Sequence, residues 1–157
     1  MNAPRILIPA TRAPAWDGGQ VVRLSSRDDA YWRFWRSVWT AGRTVIVVEH
    51  DITPTTEALA DLEACRSPWC AQPYPYMGGM YRGLGCVKFT GGLIAATSRL
   101  WERVALMSDY GHPPKHWCRL DAWATQVLTG DGWKRCEHNV TVGHDWEPGR
   151  GSSHGCA

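Results

Sequence analysis

Apolar positions along this chain alternate between short β-branched runs and longer stretches with helical spacing. The segment Val45–Val48 is a run of four β-branched residues, which predicts a strand buried on both faces, as inside a parallel sheet. Aromatic and apolar side chains between residues 31 and 39 fall on one stripe, which predicts a helix that Gly42 ends. Strands that alternate with helices indicate an α/β fold with a mostly parallel central sheet and helices on both faces.

The same pattern predicts the order of the remaining elements. Further strands are expected at residues 5–9, 21–24, 85–90 and 133–142. Further helices are expected from Thr53 onwards and from Leu120 to about Thr129. Residues 93–106 are expected to form a helix or a turn. Residues 67–79 are rich in Pro, Gly and aromatic residues and predict a long functional loop. We expect one domain, residues 1–148, and a Gly/Ser-rich flexible tail, residues 149–157.

Composition limits the classes of function. The 157 residues carry a formal net charge of +2, which argues against a strongly electrostatic nucleic-acid binder. No run of about twenty apolar residues is present, so no membrane span is expected. The N-terminus has no secretory segment, and a cytoplasmic location follows as an expectation.

Ten tryptophans are far more than a chain of this length normally contains. Trp32, Trp35 and Trp39 have helical spacing and are expected in the core. Trp69 and Trp117 fall in predicted loops or beside polar residues, where an indole can stack on a sugar or a nucleobase. These two are the candidates for binding an acceptor.

Six cysteines allow a metal or a disulfide interpretation. Neither Cys65-x4-Cys70 nor Cys136-x-His138 has the paired CxxC spacing of a structural zinc site, so small buried residues or free thiols are expected. One zinc alternative is left open, and its ligands would be His112, His116, Cys118 and a further partner.

Two acids follow the buried strand at once, in Glu49-His50-Asp51. Ligand sites of open α/β folds lie beyond the carboxyl ends of such strands. Carboxylate oxygens suit Mg²⁺ or Mn²⁺, which can in turn hold a diphosphate. Other acids and histidines also stand at element ends, namely Asp121, His144 and Asp145.

The order of these residues, from about Arg5 to Trp146, resembles the GT-A class of nucleotide-sugar-dependent glycosyltransferases in reduced form. The resemblance implies a GT-A-like, Rossmann-like domain. In that class an acid-x-acid motif meets the metal and the donor diphosphate, and Glu49-His50-Asp51 is similar, with Glu in place of the usual first Asp. His144 looks like the histidine that completes the metal shell. Asp121, at the start of a predicted helix, looks like the catalytic base of inverting members.

The resemblance also implies a donor pocket. The loop after the first strand would cradle the nucleotide, and a later Gly-rich segment would bound the sugar. On this basis the donor-binding residues are expected to be Pro9, Ala10, Thr11, Arg12, His50, Gly91 and Gly92.

The implied activity is transfer of a sugar, from a UDP-sugar in the first instance, to an acceptor hydroxyl with Mn²⁺ or Mg²⁺ as cofactor. The acceptor is left open among a protein, a small metabolite and a hydroxymethylated base in DNA, and so is the oligomeric state. The chain is short for this class, so acceptor-binding parts are missing or come from a partner subunit. Two alternatives remain: a non-enzymatic, Trp-rich carbohydrate- or nucleic-acid-binding module, and a zinc-dependent domain or nuclease using Asp51, His112, His116 and His144.

Overall fold

The computed structural model describes residues 4–145 of the chain. The strands are β1 (Arg5–Ala10), β2 (Gln20–Arg23), β3 (Val45–Val48), β4 (Ile52–Thr53), β5 (Trp69–Ala71), β6 (Tyr74–Tyr76), β7 (Gly79–Tyr81), β8 (Cys86–Phe89), β9 (Cys136–Glu137) and β10 (Gly143–His144). The helices are α1 (Ala30–Ala41), α2 (Thr56–Ala64), α3 (Gly91–Ala96), α4 (Leu100–Val104) and α5 (Leu120–Gly130), and a 3₁₀ turn (Trp117–Arg119) precedes α5.

Within the described residues, six strands form one sheet in the order β2-β1-β3-β8-β5-β9. The pairs β1–β2, β1–β3 and β5–β9 are parallel, while β8 pairs antiparallel with both β3 and β5. One strand therefore runs against the other five. The prediction of a mixed α/β domain with a mostly parallel sheet is confirmed.

Alternating residues of each strand enter two separate cores, one on each face of the sheet. Val45 and Val47 pack in the larger core with helices α1, α3, α4 and α5. Ile46 and Val48 pack in the smaller core with α2. Helices therefore cover both faces, as the apolar run of β3 predicts for a strand buried on both sides.

The larger core is built around stacked aromatic rings. Trp35 and Trp101 are stacked with ring centroids 5.6 Å apart, and Phe89 meets Trp35 edge-on at 5.7 Å. The aromatic stripe of α1 supplies this cluster, so the helical spacing in the sequence correctly identified core tryptophans. Gly42 then ends α1 with φ at 67°, a left-handed conformation in which glycine has no Cβ penalty.

Helix α2 begins three residues later than the sequence predicted. Ile52 and Thr53 pair with β10 instead of entering the helix. The Thr55 side chain then caps α2 by accepting a hydrogen bond from the Ala58 amide at 3.0 Å. Pro54 lies before this cap and starts no helix.

Two further predictions about elements were wrong. Residues 67–79 are not one long loop, because β5 is a buried strand between β8 and β9 and β6 pairs with β7 as a hairpin. The prolines interrupt the alternation that would have indicated these strands. The predicted strand at 133–142 shrinks to Cys136–Glu137, whose two residues pair with β5 at the sheet edge.

Some predictions concern residues beyond this range. The boundary between a domain ending at residue 148 and a tail lies outside the described residues. Within residues 4–145, no helix has both the length and the apolar character that crossing a membrane requires.

Candidate active site

The candidate site lies at the edge of the sheet where β1 and β3 end and where β8 begins. Val48 is paired with Cys86, and the Glu49 amide donates a hydrogen bond to the Gly85 carbonyl at 2.8 Å. The chain turns immediately after β3, where the Ile52 amide donates to the Glu49 carbonyl at 3.0 Å. This turn presents the Glu49 and Asp51 side chains beyond the carboxyl end of β3, as predicted.

Asp51 faces His144 across the short β4–β10 pair. His144 Nε2 lies 3.4 Å from Asp51 Oδ2, and His144 Nδ1 is 2.6 Å from the Pro75 carbonyl oxygen. Because that carbonyl can only accept, Nδ1 carries the proton and Nε2 points at the carboxylate. The structure thus brings together two residues that are far apart in the sequence and that were both predicted as metal ligands.

The second carboxylate oxygen of Asp51 differs from the first, because no residue between 4 and 145 pairs with it. Its Oδ1 atom is buried and receives no hydrogen bond from the described residues. Burial is the largest influence and raises the pKa of Asp51, but the His144 hydrogen bond and the charges of His50 and His144 outweigh it and hold the pKa below its usual value. An ionised, buried oxygen without a donor is the arrangement that a cation ligand would satisfy.

Glu49 lies beside Asp51 in a more enclosed position. Its Oε1 accepts a hydrogen bond from the Tyr31 hydroxyl of α1. Burial first, and then the negative charge of Asp51, raises the pKa of Glu49 to about 8. The Tyr31 hydroxyl fixes the orientation of this carboxylate, and the sequence had identified Tyr31 only as a core residue.

Asp121 approaches the same edge from the first turn of α5. Its Oδ2 accepts a hydrogen bond from the Tyr81 hydroxyl. Its negative charge also contributes to the raised pKa of Glu49, although less than burial and the charge of Asp51 do. Gly83 lies directly against it, since a Cβ there would fall 2.7 Å from Asp121 Oδ2. The predicted base and the predicted metal ligands therefore share one site.

An aromatic wall, formed by Tyr74, Tyr76 and Tyr81 of the β6–β7 hairpin, borders these carboxylates. The Tyr74 ring lies 5.2 Å from the His144 ring and 5.7 Å from Tyr81 between centroids, and Tyr76 lies 6.0 Å from His144. Sequence reasoning placed this segment in a functional loop but did not select these tyrosines. The signal was present in the two-residue turn Met77-Gly78, both at positive φ, which is typical of a tight hairpin.

The predicted nucleotide-binding loop does lie next to the acidic turn. Pro9 and Ala10 end β1 in a buried position, and Thr11 and Arg12 follow it on the surface. Burial lowers the pKa of His50, and the Arg12 guanidinium acts in the same direction while Asp51 opposes it. Residues 9–12 and His50 are therefore neighbours, and their role in binding a donor stays a prediction.

The predicted donor residues Gly91 and Gly92 lie at the wrong end of the sheet. Because β8 runs antiparallel to β3, the residues that follow it lie beside the start of β3, not its end. A Cβ at Gly91 would meet the Gly42 carbonyl at 3.1 Å, which places it near the residues that precede β3. Two other glycines, Gly83 and Gly85, stand at the site instead.

Trp69 is not available to an acceptor. It lies in the buried strand β5 with 1% of its surface exposed, and its ring is stacked on Phe89 at 5.7 Å between centroids. The prediction that it offers a free face is wrong, since the run Trp69-Cys70-Ala71 is a buried strand and not a loop. Trp117 is half-buried in the 3₁₀ turn before α5 and stacks on His116 at 5.9 Å. Its role as an acceptor platform stays a prediction.

The residues of the zinc alternative lie close together, but Cys118 is disulfide-bonded and so offers no thiolate to a metal. Ligand atoms of His112, His116 and Cys118 all lie within 4.8 Å of one another. They form a group separate from the Asp51–His144 pair, so the structure does not gather the four residues of the nuclease alternative into one cluster.

The charges of the candidate site favour a cation. Glu49, Asp51 and Asp121 converge here, and no lysine or arginine within residues 4–145 forms an ion pair with any of them. His144 is the ion-pair partner that the described residues provide for Asp51. Hard carboxylate oxygens together with one imidazole suit Mn²⁺ and also accept Mg²⁺, so the residues fit the cofactor that the sequence led us to expect.

Comparison with known proteins yields a similarity of fold. No protein-family model matches the chain, and no curated protein matches it in sequence. The structure is similar to the crystal structure of a glycosyltransferase involved in the glycosylation of the major capsid of PBCV-1, with a TM-score of 0.51 and 9% sequence identity. The match covers 87% of this chain and 82% of that one. The chain therefore shares its overall fold with a glycosyltransferase.

Proposed function

We propose that this protein is a metal-dependent glycosyltransferase that moves a sugar from a nucleotide-sugar, with UDP-sugars as the first candidates, to an acceptor hydroxyl. The observation that carries the proposal is the Asp51 carboxylate, which faces His144 with one oxygen, while its other oxygen is buried without a hydrogen-bond partner among residues 4–145. It lies at the sheet edge where α/β folds bind ligands. The fold shared with a glycosyltransferase supports the same assignment.

Asp51 and His144 would hold the divalent cation, with Glu49 bound to it directly or through water. A bound cation would supply positive charge for the diphosphate as it leaves. The Tyr31 hydroxyl orients Glu49, and the Pro75 carbonyl orients His144 through its second ring nitrogen. Such outer partners fix ligand geometry, and losing one typically weakens metal binding about 10–100-fold.

Asp121 is proposed as the general base of a single displacement, which would invert the anomeric centre. The acceptor oxygen attacks the anomeric carbon, the bond from that carbon to the diphosphate oxygen breaks, and the acceptor proton passes to an Asp121 oxygen. A carboxylate can do this only within hydrogen-bond reach of the acceptor hydroxyl. The Tyr81 hydroxyl, which donates to Asp121 Oδ2, fixes the direction in which the carboxylate points.

The aromatic wall is the proposed boundary of the sugar and acceptor pocket. Tyr81 is 37% exposed, and Met77 and Met80 at the tip of the same hairpin are 62% and 53% exposed. Exposed aromatic and methionine side chains beside a polar site can pack on a sugar face. This hairpin takes the place that the sequence had assigned to Trp69.

The test is release of nucleoside diphosphate from UDP-, GDP- and CDP-sugars with Mn²⁺. Acceptors would be protein, small hydroxylated metabolites, and DNA containing hydroxymethylated bases. Asp121→Asn should lower turnover by about 10²–10⁴-fold, the usual contribution of a general base, with little change in donor binding. Asp131→Asn, at the opposite end of α5, is the matched control. Turnover that survives in Asp121→Asn would refute its assignment as the base.

A further inference from the structure

Two cysteines and a histidine meet on the α2 face of the sheet, and a third cysteine lies on the neighbouring strand β9. The Sγ atoms of Cys65 and Cys70 and one ring nitrogen of His138 all lie within 4.8 Å of one another. The Sγ atom of Cys136 lies outside that 4.8 Å group, but the residue is directly opposite Cys70 in the parallel pairing of β5 with β9. Paired residues of neighbouring strands project from the same face, and Cys65 and Cys136 both pack against the core that contains Cys70. We propose that these four residues, the Cys3His cluster, form a structural zinc site.

The histidine has the surroundings of a zinc ligand. His138 Nδ1 lies 3.6 Å from Asp61 Oδ2 of α2, and its Nε2 is buried without a hydrogen-bond partner among residues 4–145. A zinc-bound imidazole normally uses one nitrogen for the metal and turns the other to a carboxylate or carbonyl. The Asp61–His138 pair has that form, with Nε2 free to bind.

A buried lysine supplies the charge that such a site needs. Lys88 is paired with Cys70 in the sheet and is 5% exposed. Its Nζ donates to the Glu63 and Cys65 carbonyls at 3.0 and 2.7 Å, and no carboxylate in the described part of the chain forms an ion pair with it. Zn²⁺ bound by three thiolates and a neutral imidazole carries a net charge of −1. The positive charge of Lys88 would balance that negative charge. Without the zinc site, the buried Lys88 ammonium would lack a counter-ion.

Cys86 in β8 is a buried thiol of the same core that lies outside this group of ligand atoms. It is therefore the ordinary core cysteine with which the proposed ligands can be compared.

Zinc bound by these residues would stabilise the edge of the sheet at β9. Strand β9 has only two paired residues, yet the carbonyl of His138 accepts hydrogen bonds from Arg82 at 3.0 and 3.2 Å. Arg82 immediately precedes Gly83, which touches Asp121 in the candidate active site. The Cys3His cluster would therefore fix the edge strand and, through Arg82, one wall of that site. Zinc binding by this cluster is independent of the proposed transferase activity.

The test is the zinc content of protein purified with reductant and without chelator, measured by inductively coupled plasma mass spectrometry. We expect about one zinc per chain in the wild type and loss of that zinc in Cys65→Ser and His138→Ala, because each removes a ligand. Cys86→Ser is the matched control for a buried thiol, and His112→Ala controls for the other histidine cluster. Both should keep their zinc. Zinc that is lost in His112→Ala but kept in Cys65→Ser would overturn the assignment.

A second measurement covers variants that do not fold. Stripped wild-type protein titrated with Co²⁺ should develop the ultraviolet thiolate-to-cobalt absorption of a tetrahedral sulfur site. In Cys136→Ser this absorption should fall by about one third, since one of three thiolates is gone. A wild type that holds no zinc and gives no such absorption would refute the proposal. So would a Cys65–Cys70 disulfide found by mass spectrometry in protein purified without added reductant or oxidant.

Discussion

A single methyl group added at Gly83 should disable the candidate site while leaving the fold intact. A Cβ at this position would lie 2.5 Å from Tyr81 Cε1, 2.7 Å from Asp121 Oδ2 and 2.8 Å from the Tyr74 hydroxyl oxygen. Contacts this short do not persist, so a neighbour must move. Tyr74 is buried, while Tyr81 is partly exposed and is the ring with room to shift. Moving it breaks its hydrogen bond to Asp121.

Overpacking of this kind typically costs about 1–3 kcal/mol of unfolding free energy. For a domain of this size the melting temperature should fall by roughly 2–12 °C, at about 2–4 °C per kcal/mol. Turnover should fall further, by about 10²-fold, because a displacement of about 1 Å at a catalytic group has that effect. Urea unfolding measures the first effect, and nucleoside diphosphate release measures the second.

Gly92→Ala is the matched control, since a Cβ there meets nothing within 4 Å. It lies in the first turn of α3, where alanine should stabilise by about 0.5 kcal/mol through its better helix propensity. Unchanged turnover in Gly83→Ala, or a large loss in Gly92→Ala, would refute our placement of the site at the start of β8.

Three further predictions follow from individual contacts. Tyr31→Phe removes the hydroxyl that orients Glu49, and Mn²⁺ affinity measured by calorimetry should weaken about 10–100-fold; unchanged affinity would argue against Glu49 as a ligand. Lys88→Met leaves two carbonyls at the end of α2 without a donor and should cost about 3 kcal/mol in urea unfolding; Lys134→Met, on the surface, should cost almost nothing. Hydrogen bonds from Arg27, and to a lesser extent from Arg33, outweigh burial and hold the pKa of Asp29 below 3.8 in the folded state. The ionised Asp29 carboxylate therefore stabilises the fold above pH 3.8, and this stabilisation is lost as the pH falls through the lower pKa of the folded state. Asp29→Asn should therefore flatten the acid side of the stability curve, and an unchanged curve would contradict the ion pairs.

The sequence predicted those elements whose apolar pattern is local. The β-branched run of β3, the aromatic stripe of α1 and the start of α5 at Leu120 all stand where the pattern indicated. Glu49 and Asp51 do lie beyond the carboxyl end of β3, because they directly follow that strand, and their role as metal ligands stays a prediction. These predictions needed only residues adjacent along the chain.

Other predictions failed because they depended on contacts between distant residues. The pattern of β8 identifies a strand but not its direction, and the antiparallel direction moves Gly91 and Gly92 to the far edge of the sheet. Spacing along the chain likewise could not join Cys65 and Cys70 to His138, because α2 and β9 bring them together only in the fold. The tyrosines of the aromatic wall were hidden in a segment whose prolines conceal its strands.

The central claim is that Asp51 anchors a divalent cation that binds a nucleotide-sugar. The most direct test is a thermal-shift panel of UDP, GDP, CDP and their sugars, with and without Mn²⁺, on wild type, Asp51→Asn and the control Asp131→Asn. A ligand at about one hundred times its dissociation constant stabilises by about 2.7 kcal/mol, or roughly 5–11 °C here. We expect a shift that needs both nucleotide and metal, persists in Asp131→Asn and disappears in Asp51→Asn. No shift with any pair in the wild type, or a shift that ignores both the metal and Asp51, would contradict the account.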